Sequence, residues 1–245
     1  YQSDQSSNRT GIETNINDYY DIYGTGNTGD NDKLLDTYSD AAAAYSLRKL
    51  RTAYSGPVNL SNRKDAKQQV STSQPTLVSS GELVKENGRV ALEFADDNVF
   101  NEATISGNNT SDFFSVFQTS DARHNLNAND GDFSYIAQIG STAPVSVDFG
   151  TPSYRINGAS ASITTRDDAY NSTSTGQQLL LNASGDTSNW TTYNIVYRSD
   201  PSDSFNLTGT IQEILYYNVT ISSETRSDIE SNINSAFQIY SAAFP

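Results

Sequence analysis

The sequence predicts an all-β chain: a two-sheet sandwich with short peripheral helices at its N- and C-terminal ends. Three observations lead there. After residue 74 short runs with strand character follow one another, divided by Asn, Asp and Gly, with no helical pattern between them. The composition leans toward Ser, Thr, Asn, Asp, Gly and Tyr and holds no long apolar stretch, the profile of an extracellular-type β surface. Finally, residues 6–23 return as residues 223–240 at a constant offset of 217 residues, with Ser6/Ser223, Arg9/Arg226, Ile12/Ile229, Glu13/Glu230, Asn15/Asn232, Ile16/Ile233, Asn17/Asn234, Ile22/Ile239 and Tyr23/Tyr240 coinciding. That spacing fits one sandwich domain rather than a small solenoid repeat.

The elements follow in chain order. A first helix is expected from Ser6 or Ser7, where Ile12, Ile16, Tyr19, Tyr20 and Tyr23 make one apolar stripe at helical spacing. Gly24 to Asp32 is polar and Gly-rich, a flexible connector. Residues 1–33 are therefore read as a helix and linker, the tail of a preceding repeat-like module, and residues 34–245 as the complete domain. A second short helix is expected over Ala41 to about Tyr54, because four alanines carry the best helix propensity and Gly56-Pro57 stops it. Strands are expected at Thr76–Val78, Arg89–Phe94, Asp112–Gln118, Ser134–Ile139, Val145–Phe149, Ser153–Ile156, Ala161–Thr164, Gln178–Asn182, Tyr193–Tyr197 and Ile211–Tyr217. A closing helix from Ser222 or Ser223 to Tyr240 repeats the first stripe with Ile229, Ile233, Phe237 and Tyr240.

Fifteen basic against twenty-nine acidic side chains leave a net charge of −14. Such a surface repels phosphate backbones and anionic lipid, so neither nucleic acid nor membrane is expected as a partner. No run approaches the roughly 20 apolar residues that cross a bilayer. With no cysteine, disulfides, thiolate metal sites and a Cys nucleophile are excluded, and packing alone must stabilise the fold. The chain begins at Tyr1-Gln2-Ser3-Asp4 and has no Met, which suggests a processed product or a piece of something longer.

The run Leu34-Leu35-Asp36-Thr37-Tyr38-Ser39-Asp40-Ala41-Ala42-Ala43-Ala44-Tyr45-Ser46-Leu47-Arg48-Lys49-Leu50, with Tyr54-Ser55-Gly56-Pro57, resembles the opening of concanavalin A-like, laminin G-like jelly-roll domains in bacteriophage and bacterial surface proteins. Gln74 to Val78, leading to Asn87-Gly88-Arg89-Val90-Ala91-Leu92-Glu93-Phe94, is similar to the strand pair that follows there. Ile211 to Tyr217 with the closing helix resembles their end. The resemblance implies a lectin-like jelly roll. It reaches distantly to the catalytic domain of fungal arabinofuranosidase B, a glycoside hydrolase. This chain lacks that enzyme's cysteine pair and passes from Val58 straight to Asn59-Leu60-Ser61-Asn62, where the family continues with a longer segment holding a Trp-Tyr-Asp element. No catalytic residue is carried over.

Several residues are candidates for chemistry. Asp96, Asp97 and Asn98, with Trp190 and Tyr154, are read as ligand-binding: carboxylates and amides hydrogen-bond sugar hydroxyls, and an exposed aromatic ring stacks on a sugar face, while Trp190, just before the strand Tyr193–Tyr197, can equally seal the sandwich edge. Asn127, Asn129, Asp130 and Asp132 form an oxygen-rich stretch able to hold calcium, which takes 6–8 oxygen ligands. The same residue types also make turns. Glycoside hydrolysis would need two carboxyls about 5–9 Å apart, and Glu93, Asp96, Asp97, Asp148 and Glu213 lie at or beside strands. His124, the single histidine, is read as a loop residue without function, since Asp121, Arg123 and Asn125 around it are polar.

The expected protein is thus a non-catalytic adhesion or structural protein with a lectin-like domain, displayed outside the cell on a virion or cell surface. It would bind cell-surface glycans or other surface proteins, with calcium as the possible cofactor, as a homo-oligomer or part of a larger assembly. A purely structural virion protein and a glycoside hydrolase of the arabinofuranosidase type are the alternatives.

Overall fold

The computed structural model describes residues 43–46, 75–95, 100–104, 110–129, 132–146, 148–190, 192–195, 207–217 and 219–241. The first expected helix and its linker lie outside them. In chain order the strands are β1 (Ala43–Ser46), β2 (Val78–Ser79), β3 (Glu82–Leu83), β4 (Lys85–Glu86), β5 (Arg89–Val90), β6 (Leu92–Phe94), β7 (Phe100–Thr104), β8 (Ser111–Thr119), β9 (Arg123–Asn125), β10 (Asn127–Asn129), β11 (Asp132–Phe133), β12 (Ile136–Gln138), β13 (Ser153–Ile156) and β14 (Ala159–Ala161). Helix α1 (Arg166–Thr173) precedes β15 (Leu179–Gly185), β16 (Thr192–Ile195) and β17 (Gly209–Tyr217), and helix α2 (Ser223–Phe237) closes the fold.

The molecule is mostly β, built on a seven-stranded antiparallel sheet of order β1-β17-β8-β15-β13-β14, with β6 also paired to β17. A four-stranded sheet, β11-β10-β16-β7, the two hairpins β2-β3 and β4-β5, and the two-stranded pair β12-β9 complete it. Two hairpin turns, one in β4-β5 and one in β13-β14 of the large sheet, follow directly from sequence. Glu86 pairs Arg89 across Asn87-Gly88, and Ile156 pairs Ala159 across Asn157-Gly158. Both asparagines and both glycines have positive φ, as a two-residue turn matching the strand twist demands.

Period two sorts the large sheet into two faces. Phe113 and Phe117 of β8, Leu179, Leu181 and Ala183 of β15 and Ile214 and Tyr216 of β17 face one apolar cluster; Phe114, Val116, Leu180, Leu215 and Tyr217 face another. In β17 the spacing from Ile211 to Ile214 is three rather than two, because a bulge lies between Ile211 and Glu213 and restores the face. β8 is buried along nearly its whole length, as befits a central strand covered on both sides.

The first face meets an aromatic layer. Phe113 stacks on Tyr216 at a centroid distance of 4.7 Å and lies 5.6 Å from both Phe149 and Trp190. Tyr135, Val145, Ile163 and Ala169 fill the remainder. At Gly185 a Cβ would come within 2.5 Å of the Phe149 carbonyl oxygen and 2.6 Å of its ring, so only glycine lets this layer close on β15. The second face meets α2 through Ile229, Ile233 and Phe237. Ser222 caps that helix, its hydroxyl accepting from the Thr225 N–H at 3.0 Å. Gln238 ends it in the left-handed conformation, short of the expected Tyr240.

Three expectations are corrected. Ala43–Ser46 is a strand, not part of a helix: it pairs antiparallel with Glu213–Tyr216 at the edge of the large sheet, and that ladder overrides alanine's intrinsic propensity. The described residues of 145–149 form no strand; Pro144 makes an isolated bridge to Thr165, and Asp148 has a positive φ that interrupts extension. Helix α1 was not expected. Its signal is the Thr165-x-x-Asp168 capping box: the Thr165 hydroxyl accepts from the Asp168 N–H at 3.1 Å, and the Asp168 carboxylate accepts from the Thr165 N–H at 2.9 Å. Among the described residues no helix is long and apolar enough to cross a membrane.

Candidate functional site

The oxygen-rich stretch lies on the four-stranded sheet. Asn127 and Asn129 are in β10 and Asp132 opens β11, with Asn129 paired to Asp132. The interval between those two holds Asp130 and Gly131, which lie outside the described residues. A two-residue interval is what a tight hairpin requires, and this accounts for Asn, Asp and Gly being concentrated there. Among the described residues no three His, Asp or Glu side chains gather where they could hold a metal ion.

Asp96, Asp97 and Asn98 also lie outside the described residues, immediately before β7 in sequence. Phe100, which opens β7, pairs with Ile195 of β16, and Ile195 pairs with Asn127. Phe100 and Asn127 therefore stand two strand spacings apart, roughly 10 Å. One end of this small sheet brings the start of β7 and the start of β10 together, and it is the candidate binding edge.

The two aromatic candidates are elsewhere, and their expected role is corrected. Trp190 is 1% exposed, wedged between Phe113 and Phe149, with its indole N–H donating to the Asp148 carbonyl at 3.1 Å. Tyr154 is 3% exposed, edge-on to Tyr135, and its hydroxyl donates to the Ser134 carbonyl at 2.9 Å. Burial raises the Tyr154 pKa above its ordinary value. Both rings have their faces covered and their polar handles occupied, which suits core aromatics rather than sugar platforms.

His124, expected in a loop, is in a strand. It sits in β9, paired with Ala137 of β12, and is fully buried between Phe117 and Tyr135. The Thr173 hydroxyl donates to the Ala169 carbonyl at 2.7 Å, leaving its oxygen to accept from His124 Nε2 at 3.3 Å. That assigns the ring proton to Nε2. Desolvation lowers the His124 pKa to about 3, so the imidazole is neutral near pH 7. Polar residues on either side hid this position in the sequence; its partners come from residues 117, 135 and 173.

Glu93 and Asp148 do not form a hydrolytic pair. Glu93 is exposed and pairs with Thr210, which also pairs with Gln118. The segment after Asp148 reaches the other end of β8: Asp186 N–H donates to the Phe149 carbonyl, and Gly185 pairs with Ser111. Seven strand residues from Ser111 to Gln118 span roughly 23 Å, well beyond the separation that glycoside hydrolysis uses. Glu213 is 1% exposed on the α2 side of the large sheet.

Sequence reasoning missed the charged groups that matter most to this face. Asp112, fully buried, accepts from Arg226 of α2 at 3.2 Å and from the Asn182 amide at 3.3 Å. Glu230 of α2, also fully buried, takes two hydrogen bonds from the Arg155 guanidinium, at 2.8 and 3.0 Å. The Arg155 pKa is raised chiefly by that bonding. The available signal was Arg226 and Glu230 four residues apart on one helix and their return as Arg9 and Glu13. Comparison with family models, with curated proteins and with solved structures finds no match to this chain.

Proposed function

We propose that this protein is a non-catalytic adhesion module displayed outside the cell, on a virion or cell surface. Its lectin-like domain, a concanavalin A-like jelly roll, binds cell-surface glycan, with Asn127 at the start of β10 and Asp96, Asp97 and Asn98, just before β7 in sequence, as the recognising residues. What supports the reading is the contrast between the two sheets. Around the large sheet the buried Asp112, Glu230 and His124 and the partly exposed Arg155 are taken up by contacts that hold the fold. The small sheet carries the amide- and carboxylate-rich residues at its ends. Amides and carboxylates recognise sugar hydroxyls without any covalent step.

A glycan array with the full chain, in calcium and in chelator, tests this. Specific binding that falls at least tenfold in Asp97→Ala and Asn127→Ala, with unchanged melting, is the expected result. An array without hits would overturn glycan binding. The reading as a purely structural assembly protein, which the 217-residue repeat favours, would then take its place, checked by light scattering for self-association.

A further inference from the structure

The internal repeat becomes informative once α2 is seen on its sheet. Of the nine identical positions, seven hold α2 and its C-terminal turn in place. Arg226 bonds Asp112, and Glu230 bonds Arg155. Ile229 and Ile233 are fully buried against the sheet. Asn234 caps the end, its side-chain Oδ1 accepting the N–H groups of Ile239 and Tyr240 at 2.9 and 3.0 Å while its side-chain Nδ2 donates to the Tyr240 carbonyl at 2.9 Å. Ile239 and Tyr240 pack on the same apolar cluster. Most of the positions that differ behave oppositely. Glu224, Thr225, Ser227, Asp228, Ser231, Ser235 and Gln238 are all exposed, the buried Phe237 is replaced by another aromatic, Tyr20, and only at the half-buried Ala236, replaced by Tyr19, does a sheet-facing position change in size.

Identity in the repeat thus follows contact with the sheet, not helix formation as such. A helix needing only an apolar stripe would keep Ile12 and Ile16 and let the charges drift. Arg9 and Glu13 are retained at the spacing that meets an Asp and an Arg on a sheet face. A buried carboxylate or a guanidinium set against one is unfavourable without its partner, so their retention specifies the surface they meet.

We propose that residues 6–23 are a second copy of this latch, built to seat on the α2 face of a sheet like this one in a neighbouring module. The partner is a second copy of the seat: a sheet face bearing the equivalents of Asp112 and Arg155 around Phe114, Val116, Leu180, Leu215 and Tyr217. In its own module α2 holds that seat, since only Asn218 to Ser222 separate it from β17 and keep its local concentration high.

A transplant tests the proposal in the full chain. Residues 223–240 are replaced by the sequence of residues 6–23, leaving the Ser222 cap in place. The expected chain folds cooperatively and melts within about 10 °C of the parent, since the exchanged positions are mostly exposed. A second transplant that keeps Ala236 removes the added bulk of Tyr19. Failure of both to fold overturns the proposal. In the folded transplant, changing the introduced glutamate to Gln should lower the melting temperature as much as Glu230→Gln does in the parent. The Arg155→Ala background should reduce both losses at least twofold. A transplant that folds but shows no such coupling to Arg155 also overturns it, because the seat would then be recognised by apolar contact alone.

Discussion

The two faces of the seven-stranded sheet are covered by different means. One carries Phe113, Phe149, Trp190, Tyr216, Tyr135 and Tyr154, drawn from strands and loops spread over a hundred residues, with ring against ring and each polar handle bonded inside. The other carries one helix, fixed by an isoleucine stripe, an ion pair in its first turn and another at its midpoint. An aromatic layer assembled from strands and loops resists change because its rings pack against one another, and its strength is transfer plus packing. A helix held by a few polar contacts is weaker but more particular, since those contacts select one register on one surface. The first face suits a scaffold; the second suits an exchangeable part.

The largest effect should come from the aromatic face. Trp190→Ala removes the ring between Phe113 and Phe149 and is expected to cost about 3–5 kcal/mol, as for other large buried aromatics. Chemical denaturation measures it, and a loss below about 1 kcal/mol would show that the layer closes without this ring. On the helix face, Arg155→Ala leaves Glu230 buried without its partner. A loss of about 2 kcal/mol is expected, less than for a fully enclosed pair because Arg155 is partly exposed. Combining it with Glu230→Ala should lose less than the two single losses together; additive losses would show that the ion pair is not coupled.

A pH titration separates the faces further. His124 has a folded pKa lowered to about 3 against an ordinary 6.5. Between those values the unfolded chain takes up a proton that the native state refuses, so stability should fall as pH drops from 6.5 toward 3. The slope from this residue is at most about 1.4 kcal/mol per pH unit. His124→Gln should flatten that part of the profile, whereas an unchanged slope would place the acid sensitivity elsewhere. The smallest change is at α1, where Thr165→Ala removes the cap and is expected to cost about 1 kcal/mol. The Asp168 carboxyl is held down to about 2 by the N–H groups of Thr165 and Thr164. Its contribution is therefore present above about pH 4 and lost as pH falls toward 2, and Asp168→Asn should remove that acid limb from a thermal-melt series.

Much of the fold was legible locally. Ser153–Ile156 is a strand with the bounds expected, and the Asn-Gly pairs mark hairpin turns because few residues tolerate positive φ at two successive positions. Helix α2 follows from its stripe and cap. The candidate site was less legible. The Asn129 to Asp132 interval reads equally as a metal loop or a turn, and nothing near Trp190, Tyr154 or His124 in the chain says that distant strands will close over them.

What the sequence determined by itself are features set within a few residues of backbone: turns, alternation, the helix stripe and the repeated latch pattern. The tertiary structure decided which neutral or charged group would be buried, and against what. Arg155 meets Glu230 across 75 residues of chain and Arg226 meets Asp112 across 114, while Ala43–Ser46 becomes a strand only because β17 offers an edge. Burial and pairing energies depend on surroundings that local sequence does not contain, and for that reason they outweigh local propensity where the two disagree.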